Sequence, residues 1–422
     1  MNKVRTPWGM VAMLSATATA GYICRVNVST AGYLLREEFH FSEVSLGWIF
    51  SAFLLGYAFF QIPGGALADR WGTRRILNLA AWLWVALTVI QAFIGWGSFT
   101  ITASMAFIAF MVCRFLLGIS GAPTYPGAAQ GVSRWVLPKF QGRANGIVIA
   151  SVGLGSALSL LIVSSVMKFC GWRIALLASA LPALIIAVIW HRMKEPPLAA
   201  TIESSKETEA EKNVLRKADL KRLRYPGFYL LTLSYSLQGY VGYVFVSWIY
   251  IYLVDVRHFS IINGALMGSL PWILSIVSIP LGGLISDRLA LGRLGPVWGR
   301  RLVAIVGMTF SGIFISIGAH TSSALVAAIM LAFATAMVLC VEGPFWTMMM
   351  NIAGPRSGTA GGIMNAGCNI AGLISPVLTP FLAKYIGWEN ALHIAAALAI
   401  IAALLWLWVK PPKEVVENRI KI

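Results

Sequence analysis

Apolar residues come in long runs, centred near residues 20, 55, 86, 114, 155 and 182, and again near 240, 273, 310, 337, 370 and 398. Each run approaches the roughly 20 residues that an α-helix needs to cross the hydrocarbon core of a bilayer. One long polar stretch interrupts the series. From Arg192 to Arg224 the chain holds Glu203, Lys206, Glu207, Glu209, Glu211, Lys212, Arg216, Lys217 and Asp219, a density of charge that no bilayer accepts. The pattern predicts an all-α membrane protein of twelve transmembrane helices. Residues 1–192 form an N-terminal six-helix bundle, 193–224 a cytoplasmic amphipathic linker, and 225–422 a C-terminal six-helix bundle with a short cytoplasmic tail. Lys3 and Arg5, followed by an apolar run reaching Ala18-Thr19-Ala20, imitate a secretory signal with its cleavage site. The run continues to about Ala31 and belongs to the repeat described next, so it is read as a retained first helix.

The two halves match in register. Gly21 to Ser29 pairs with Gly239 to Ser247, and Pro63 to Arg70 with Leu281 to Arg288, both at an offset of 218. Ala122-Pro123-Thr124-Tyr125 pairs with Gly343-Pro344-Phe345-Trp346 at 221, and Gly171-Trp172 with Gly387-Trp388 at 216. An ordered series of matches at nearly constant offset is the trace of a duplicated six-helix unit, with the two copies related by a pseudo-two-fold axis. Repeats of this kind belong to alternating-access transporters.

Composition agrees: 58% of residues are hydrophobic and 12% charged, with a mean hydropathy of +0.76. An ordinary soluble enzyme carries about a quarter charged residues, so that class is excluded, as is a disordered chain. A net charge of +17 invites a nucleic-acid reading. Its distribution gives a simpler one. With both termini in the cytoplasm, 26 of the 33 Lys and Arg residues fall on the cytoplasmic side, five on the outside, and Arg25 and Arg114 within the membrane. That asymmetry is the positive-inside rule, and it places the protein in the cell (inner) membrane with no nucleic-acid partner. Cys24, Cys113, Cys170, Cys340 and Cys368 are scattered, without CxxC spacing, and read as packing residues rather than metal ligands or disulfide partners. No nucleophile–base pair or phosphate-cradling loop stands out, so no catalytic residue, metal or cofactor is expected and the chain is not read as an enzyme.

Gly65-Ala66-Leu67-Ala68-Asp69-Arg70-Trp71-Gly72-Thr73-Arg74-Arg75, between helices 2 and 3, resembles the signature loop of the major facilitator superfamily. A shorter echo runs from Gly283 to Asp287 and Arg288, with Arg300-Arg301 beyond, between helices 8 and 9. The resemblance implies a gating role for Gly65, Asp69, Arg70, Gly72, Arg74, Arg75, Asp287 and Arg288. Within that superfamily the chain resembles the anion:cation symporter branch, which includes sialin, vesicular glutamate carriers and bacterial sugar-acid symporters. The stretches that carry this likeness are Tyr22 to Ser29, Phe53 to Gly65, Arg114 to Pro126, and Gly361 to Pro376. In that branch the arginines of helices 1 and 4 hold the substrate carboxylate, which implies that role for Arg25 and Arg114. Proton-coupled members place acids where this chain has Cys24 and Gly121. Helix 5 lacks the Gly-Pro pair of drug/proton antiporters, since Gly153-Leu154-Gly155 has none, which argues against multidrug efflux.

A cation within the bilayer costs about 3 kcal/mol or more, so each intramembrane arginine must be matched either by a substrate anion or by carbonyls and acids of the protein. Glu342 is the one carboxylate well inside a predicted helix, at the repeat counterpart of Gly121. Desolvation favours the protonated form of a carboxyl, which makes Glu342 a candidate proton carrier; a hydrogen-bonded or ion-paired structural glutamate is the equal alternative. Tyr57 and Gln61 on helix 2, Gln238 and Tyr243 on helix 7, Trp346 on helix 10, and Asn365 and Asn369 on helix 11 are candidate ligand contacts, although residues of these types more often serve helix packing. Together these features predict a monomeric secondary transporter of a small organic anion, a carboxylate or sugar acid, moved by alternating access with a proton. Exchange against a counter-anion, coupling to another cation, and a transporter-like ligand receptor remain open alternatives.

Overall fold

The computed structural model describes residues 8–97, 101–136, 138–193, 224–353 and 357–411, apart from a few side chains within the helices. Between its ends Met193 and Arg224 the linker lies outside the described residues, as do the tail beyond residue 411 and the side chains of Gly65 and Asp69. Helices account for nearly all of the rest. They are α1 Trp8–Phe39, α2 Glu43–Trp71, α3 Thr73–Phe93, α4 Ala103–Gly121 continued by Thr124–Trp135, α5 (138–170) and α6 (172–192). The second series is α7 Pro226–Ile251 with a π-helical turn at Tyr252–Val256, α8 Ile261–Leu291, α9 Gly295–His320, α10 Ala324–Cys340 continued by Glu342–Ala353, α11 (357–386) and α12 (388–405).

Nine segments among the described residues are long and apolar enough to span a membrane. Two of them, Gly146–Arg192 and Ala360–Leu405, each hold two helices, and α1, whose polar positions lower its hydropathy, is the twelfth span. The double helices break at Gly171 and Gly387, whose φ angles are 77° and 83°. Only glycine adopts that conformation without strain, so the chain turns and a new helix starts. These are the two glycines that the repeat pairs with each other, each followed by tryptophan.

The chain packs as two compact units. The first holds α1–α6 together with Phe245–Ile276 and Pro376–Tyr385; the second holds the remaining parts of α7–α12. The boundary therefore passes through α7, α8 and α11. Contacts within the first unit show what draws these outer pieces in: Trp248 Nε1 donates to the Pro376 carbonyl at 3.1 Å, Phe50 meets Trp248 edge-on, and Arg36 is ion-paired with Asp255 and with Glu43.

Apolar side chains cannot drive helix association in lipid as they do in water, so close backbone approach and interhelical hydrogen bonds take over. Trp190 Nε1 donates to Thr17 Oγ1 at 2.9 Å, Asn27 Nδ2 to Ser179 Oγ at 2.9 Å, and Ser159 Oγ to the Ile23 carbonyl at 3.0 Å. The second unit repeats the device, with Ser234 Oγ donating to the Ala402 carbonyl at 2.8 Å and Ser375 Oγ to that of Tyr240 at 2.9 Å. A tight crossing joins α2 and α4: a Cβ at Gly118 would overlap the Phe53 carbonyl, and one at Gly56 the Phe115 carbonyl. Large apolar residues such as Leu116, Ile185 and Phe381 remain exposed, as a lipid-facing surface requires.

This crossing yields a prediction. Gly118→Ala forces α2 and α4 apart and is expected to cost about 1–3 kcal/mol. Gly242→Ala, where nothing lies within 4 Å of the added atom, should fall within about 0.5 kcal/mol of wild type. Thermal unfolding of the purified protein in detergent checks both; equal midpoints for the two variants would contradict the close approach.

Candidate functional site

The first unit holds a small, partly open pocket of about 30 Å³, room for one or two waters or a chemical group of that size. Its walls include Tyr22, Arg25, Phe53, Tyr57, Trp84 and Tyr125. Helix geometry explains the grouping: Tyr22 and Arg25 stand three apart on α1, and Phe53 and Tyr57 four apart on α2, so each pair shares a helix face. Tyr125 arrives from α4 just past a break, where Gly121 ends the first segment and Pro123, whose nitrogen has no proton to donate, precedes the second.

Arg25 is half-buried, and its Nη1 donates to Tyr22 Oη at 3.0 Å. Its guanidinium carbon lies 4.7 Å from the centroid of the Phe53 ring, 5.0 Å from Tyr22 and 5.8 Å from Tyr57. Aromatic faces stabilise a desolvated cation. Arg114 is arranged differently. It is 3% exposed, with Nη2 donating to the Arg25 carbonyl at 2.8 Å and Nη1 to the Cys24 carbonyl at 3.5 Å. Its Nε finds no partner among the described residues. Its charge is matched by helix carbonyls, and its fork fastens α4 to the turn of α1 that carries Arg25. Both guanidinium groups approach the same Phe53 ring, Arg114 at 5.2 Å.

A second cluster lies in the other unit. Sequence reasoning sets Glu342 well inside a helix; the structure puts it at a break, the first residue of the second segment of α10. Gln238 Nε2 donates to Oε1 at 2.9 Å, while Tyr235 Oη and Trp346 Nε1 donate to Oε2 at 3.0 and 3.2 Å. All three donors are neutral, and no ion pair of Glu342 with a cation is found among the described residues. The ion-paired alternative thus has no geometric support, whereas a hydrogen-bonded glutamate does. Gln238 Nε2 also reaches the Val338 carbonyl at 3.2 Å, fixing the amide that faces the carboxyl.

The structure therefore divides the candidate residues. Tyr57 joins Arg25, and Gln238 and Trp346 join Glu342. Gln61, half-buried one turn after Tyr57, does not line the pocket. Tyr243 packs its ring on Gly372 of α11, and on the same helix Asn365 is half-buried and Asn369 buried. Tyr22, Phe53, Trp84, Tyr125 and Tyr235 were not singled out by sequence reasoning, although the first four belong to the neighbourhoods of Arg25 and Arg114 or to a helix that the pattern placed beside them.

In the signature loop, Arg74 reaches across to the end of α6, with Nε on the Trp190 carbonyl at 3.1 Å and Nη2 on the His191 carbonyl at 2.8 Å. Arg301 repeats this for α12, with Nε on the Val409 carbonyl at 2.7 Å. Arg74 thereby satisfies carbonyls that a helix C-terminus leaves without partners, while the carbonyl that Arg301 binds lies just past the end of α12. Gly72 is the one residue between α2 and α3, its N–H donating to Ala68. Arg70, Arg75, Asp287 and Arg288 are exposed.

Comparison with known proteins bears on the whole chain. It is 28% identical to a probable sulfoacetate transporter of Cupriavidus necator, over 97% of this chain and 95% of that protein. It is 25% identical to a hexuronate transporter of Bacillus subtilis, covering 94% and 92%, and 28% identical to a probable galactarate/D-glucarate transporter of the same species, covering 99% and 95%. Among solved structures, a bacterial homologue of the human lysosomal transporter Spinster superposes with a TM-score of 0.77 at 19% identity, covering 96% of this chain and 97% of that one. A D-xylose–proton symporter gives 0.77 at 18%, covering 97% and 99%; at such identities these likenesses speak for the fold. The pattern of the Major Facilitator Superfamily matches residues 11–365 and 289–421. Twelve duplicated spans, a signature loop whose Arg74 ties two helices together, and a family match running nearly end to end agree that this chain is a multi-pass membrane transporter, and not an enzyme, belonging to the Major Facilitator Superfamily.

Proposed function

We propose that the chain carries a small organic anion, a carboxylate or sugar acid, across the inner membrane together with a proton. The observation that carries this reading is Arg25, a guanidinium set among aromatic rings on the wall of a pocket, where its planar fork can meet an arriving carboxylate or sulfonate. The transporters of sulfoacetate, hexuronate and galactarate/D-glucarate to which the chain is similar all move organic anions by name. Arg25 takes the anion directly, and Arg114 holds the α1 backbone in place beneath it. Residues 1–192 and 225–422 act as two bundles that rock about the site, joined by the linker, with both termini cytoplasmic and the protein a monomer.

Glu342 fits the proton carrier. Its carboxyl sits among neutral donors, so it can gain or lose charge without breaking an ion pair. In the deprotonated state it accepts from Tyr235, Gln238 and Trp346; on protonation one of those contacts is lost and the charge disappears. Anion and proton then enter together, and little net charge crosses the low-dielectric core.

Three outcomes are expected. Arg25→Lys keeps the charge but loses the planar fork, and should weaken anion binding by roughly 10- to 150-fold, the equivalent of one charge-assisted bond of about 1.5–3 kcal/mol. Titration calorimetry with sulfoacetate, D-glucarate and D-glucuronate measures this; unchanged affinity in folded protein would place the anion elsewhere. Glu342→Gln mimics the protonated group. In proteoliposomes it should abolish uptake driven by an inward proton gradient yet spare substrate counterflow, whereas gradient-driven uptake that survives would make Glu342 structural. A wild type indifferent to the gradient would favour anion exchange instead. The orientation is tested on the native chain: Cys170 is exposed between α5 and α6 while Cys24, Cys113 and Cys340 are buried. An impermeant thiol reagent should label intact cells in a manner abolished by Cys170→Ser, and labelling of Cys170 only after permeabilisation would invert the topology.

A further inference from the structure

The Arg25 pocket has one wall from a helix outside the residue groups already assigned. Trp84 of α3 is 2% exposed, yet it lines the pocket with Arg25 and Tyr57. It gets there through a gap in α1. Gly21 has no side chain, and a Cβ built at that position would stand 2.8 Å from Trp84 Cη2, 3.1 Å from Cζ3 and 3.2 Å from Cζ2. Any larger residue at 21 must push the benzene edge of the indole aside. Gly21 lies one helical turn before Arg25 and next to Tyr22, so the indole edge meets α1 one turn from the guanidinium.

The rest of the pocket lining sharpens the consequence. Gly121 is open on its pocket side, the nearest atoms to an added Cβ being Phe53 Cζ at 3.6 Å and ordinary contacts beyond. Space is therefore left by small residues and taken by the indole and by Phe53, both rigid and apolar. The polar groups are Arg25 and the hydroxyls of Tyr22, Tyr57, Thr124 and Tyr125. Such a pocket admits a charged head group and penalises bulk immediately behind it, because an indole held against helix backbone cannot rotate away cheaply.

We propose that Trp84, admitted by the gap at Gly21, is a specificity-determining residue: it limits the bulk on the carbon bearing the anionic group. Anions whose charged group sits on a slim methylene are then preferred to those whose carboxylate sits on a ring carbon. This inference rests on the organic-anion reading above and adds which part of the anion is measured, and by what.

The test compares sulfoacetate, with a methylene between its charged groups, and D-glucuronate, with its carboxylate on a ring carbon, by titration calorimetry on purified protein. Wild type should bind sulfoacetate at least about tenfold more tightly. Trp84→Ala should shrink that ratio at least fivefold with sulfoacetate still bound. Gly21→Ala should weaken both ligands by displacing the indole, and Gly21→Ala with Trp84→Phe should recover sulfoacetate binding, since the phenyl ring stops short of the space the indole's benzo ring held and leaves room for the extra methyl. Packing alone predicts that Trp84→Ala and Trp84→Phe lower both affinities alike and leave their ratio within twofold of wild type; that result overturns the wall while leaving transport intact. A wild type that favours D-glucuronate overturns it as well. If neither anion binds wild type, the organic-anion reading fails first and the wall falls with it.

Discussion

A bilayer core contains no water to receive a polar group, so every charge and every backbone dipole within the spans must be answered by the protein itself or by its cargo. Most of this structure can be understood as answers to that demand. Arg114 is answered by two carbonyls of α1, Glu342 by three neutral donors, the carbonyls ending α6 by Arg74, and a carbonyl just past α12 by Arg301. Arg25 is given aromatic faces and a tyrosine hydroxyl, which stabilise its charge.

These answers depend on how closely the helices approach. Arg114 reaches α1 because α4 lies hard against α2 at the Gly118 and Gly56 crossing, which seats Phe53 between helices and brings both guanidinium groups to one ring. Trp84 reaches the pocket because Gly21 clears its path. Glycine thus does two jobs in this chain: it shortens interhelical distances, as expected in lipid, and it opens windows through which side chains of one helix serve a site built on another.

The duplication also has a chemical side. α4 and α10 both break just before their C-terminal segments, at Ala122–Pro123 and at Val341, which lie within about three residues of one another in the register of the repeat. In the first unit the aligned residue is Gly121, open toward the pocket; in the second it is Glu342, held by hydrogen bonds. One ancestral break has become space on one side and a titratable group on the other. A break suits both uses, because it frees side chains from the regular helix surface and leaves N–H groups at a helix start, where negative charge is favoured.

Much of the architecture was legible in the chain because bilayer thickness, helix rise and the cost of charge are fixed quantities that act on sequence directly. Twelve runs and the repeat, including its pairing of Gly171 with Gly387, follow from local chemistry, and the signature loop pointed to the family. The intramembrane charges could likewise be named as sites of consequence, since nothing cheap explains them. What sequence left undecided was which partner each would take. Arg25 and Arg114 look alike in one dimension, and whether a guanidinium meets a carbonyl or a pocket is settled by the crossing of α1, α2 and α4, tens of residues apart in the chain. Tyr235 and Trp84 were invisible for the same reason: an aromatic residue in an apolar helix carries no mark of its use. Periodicity reports which face is buried, whereas the neighbour on that face is chosen by interhelical geometry, and that is a property of the folded chain alone.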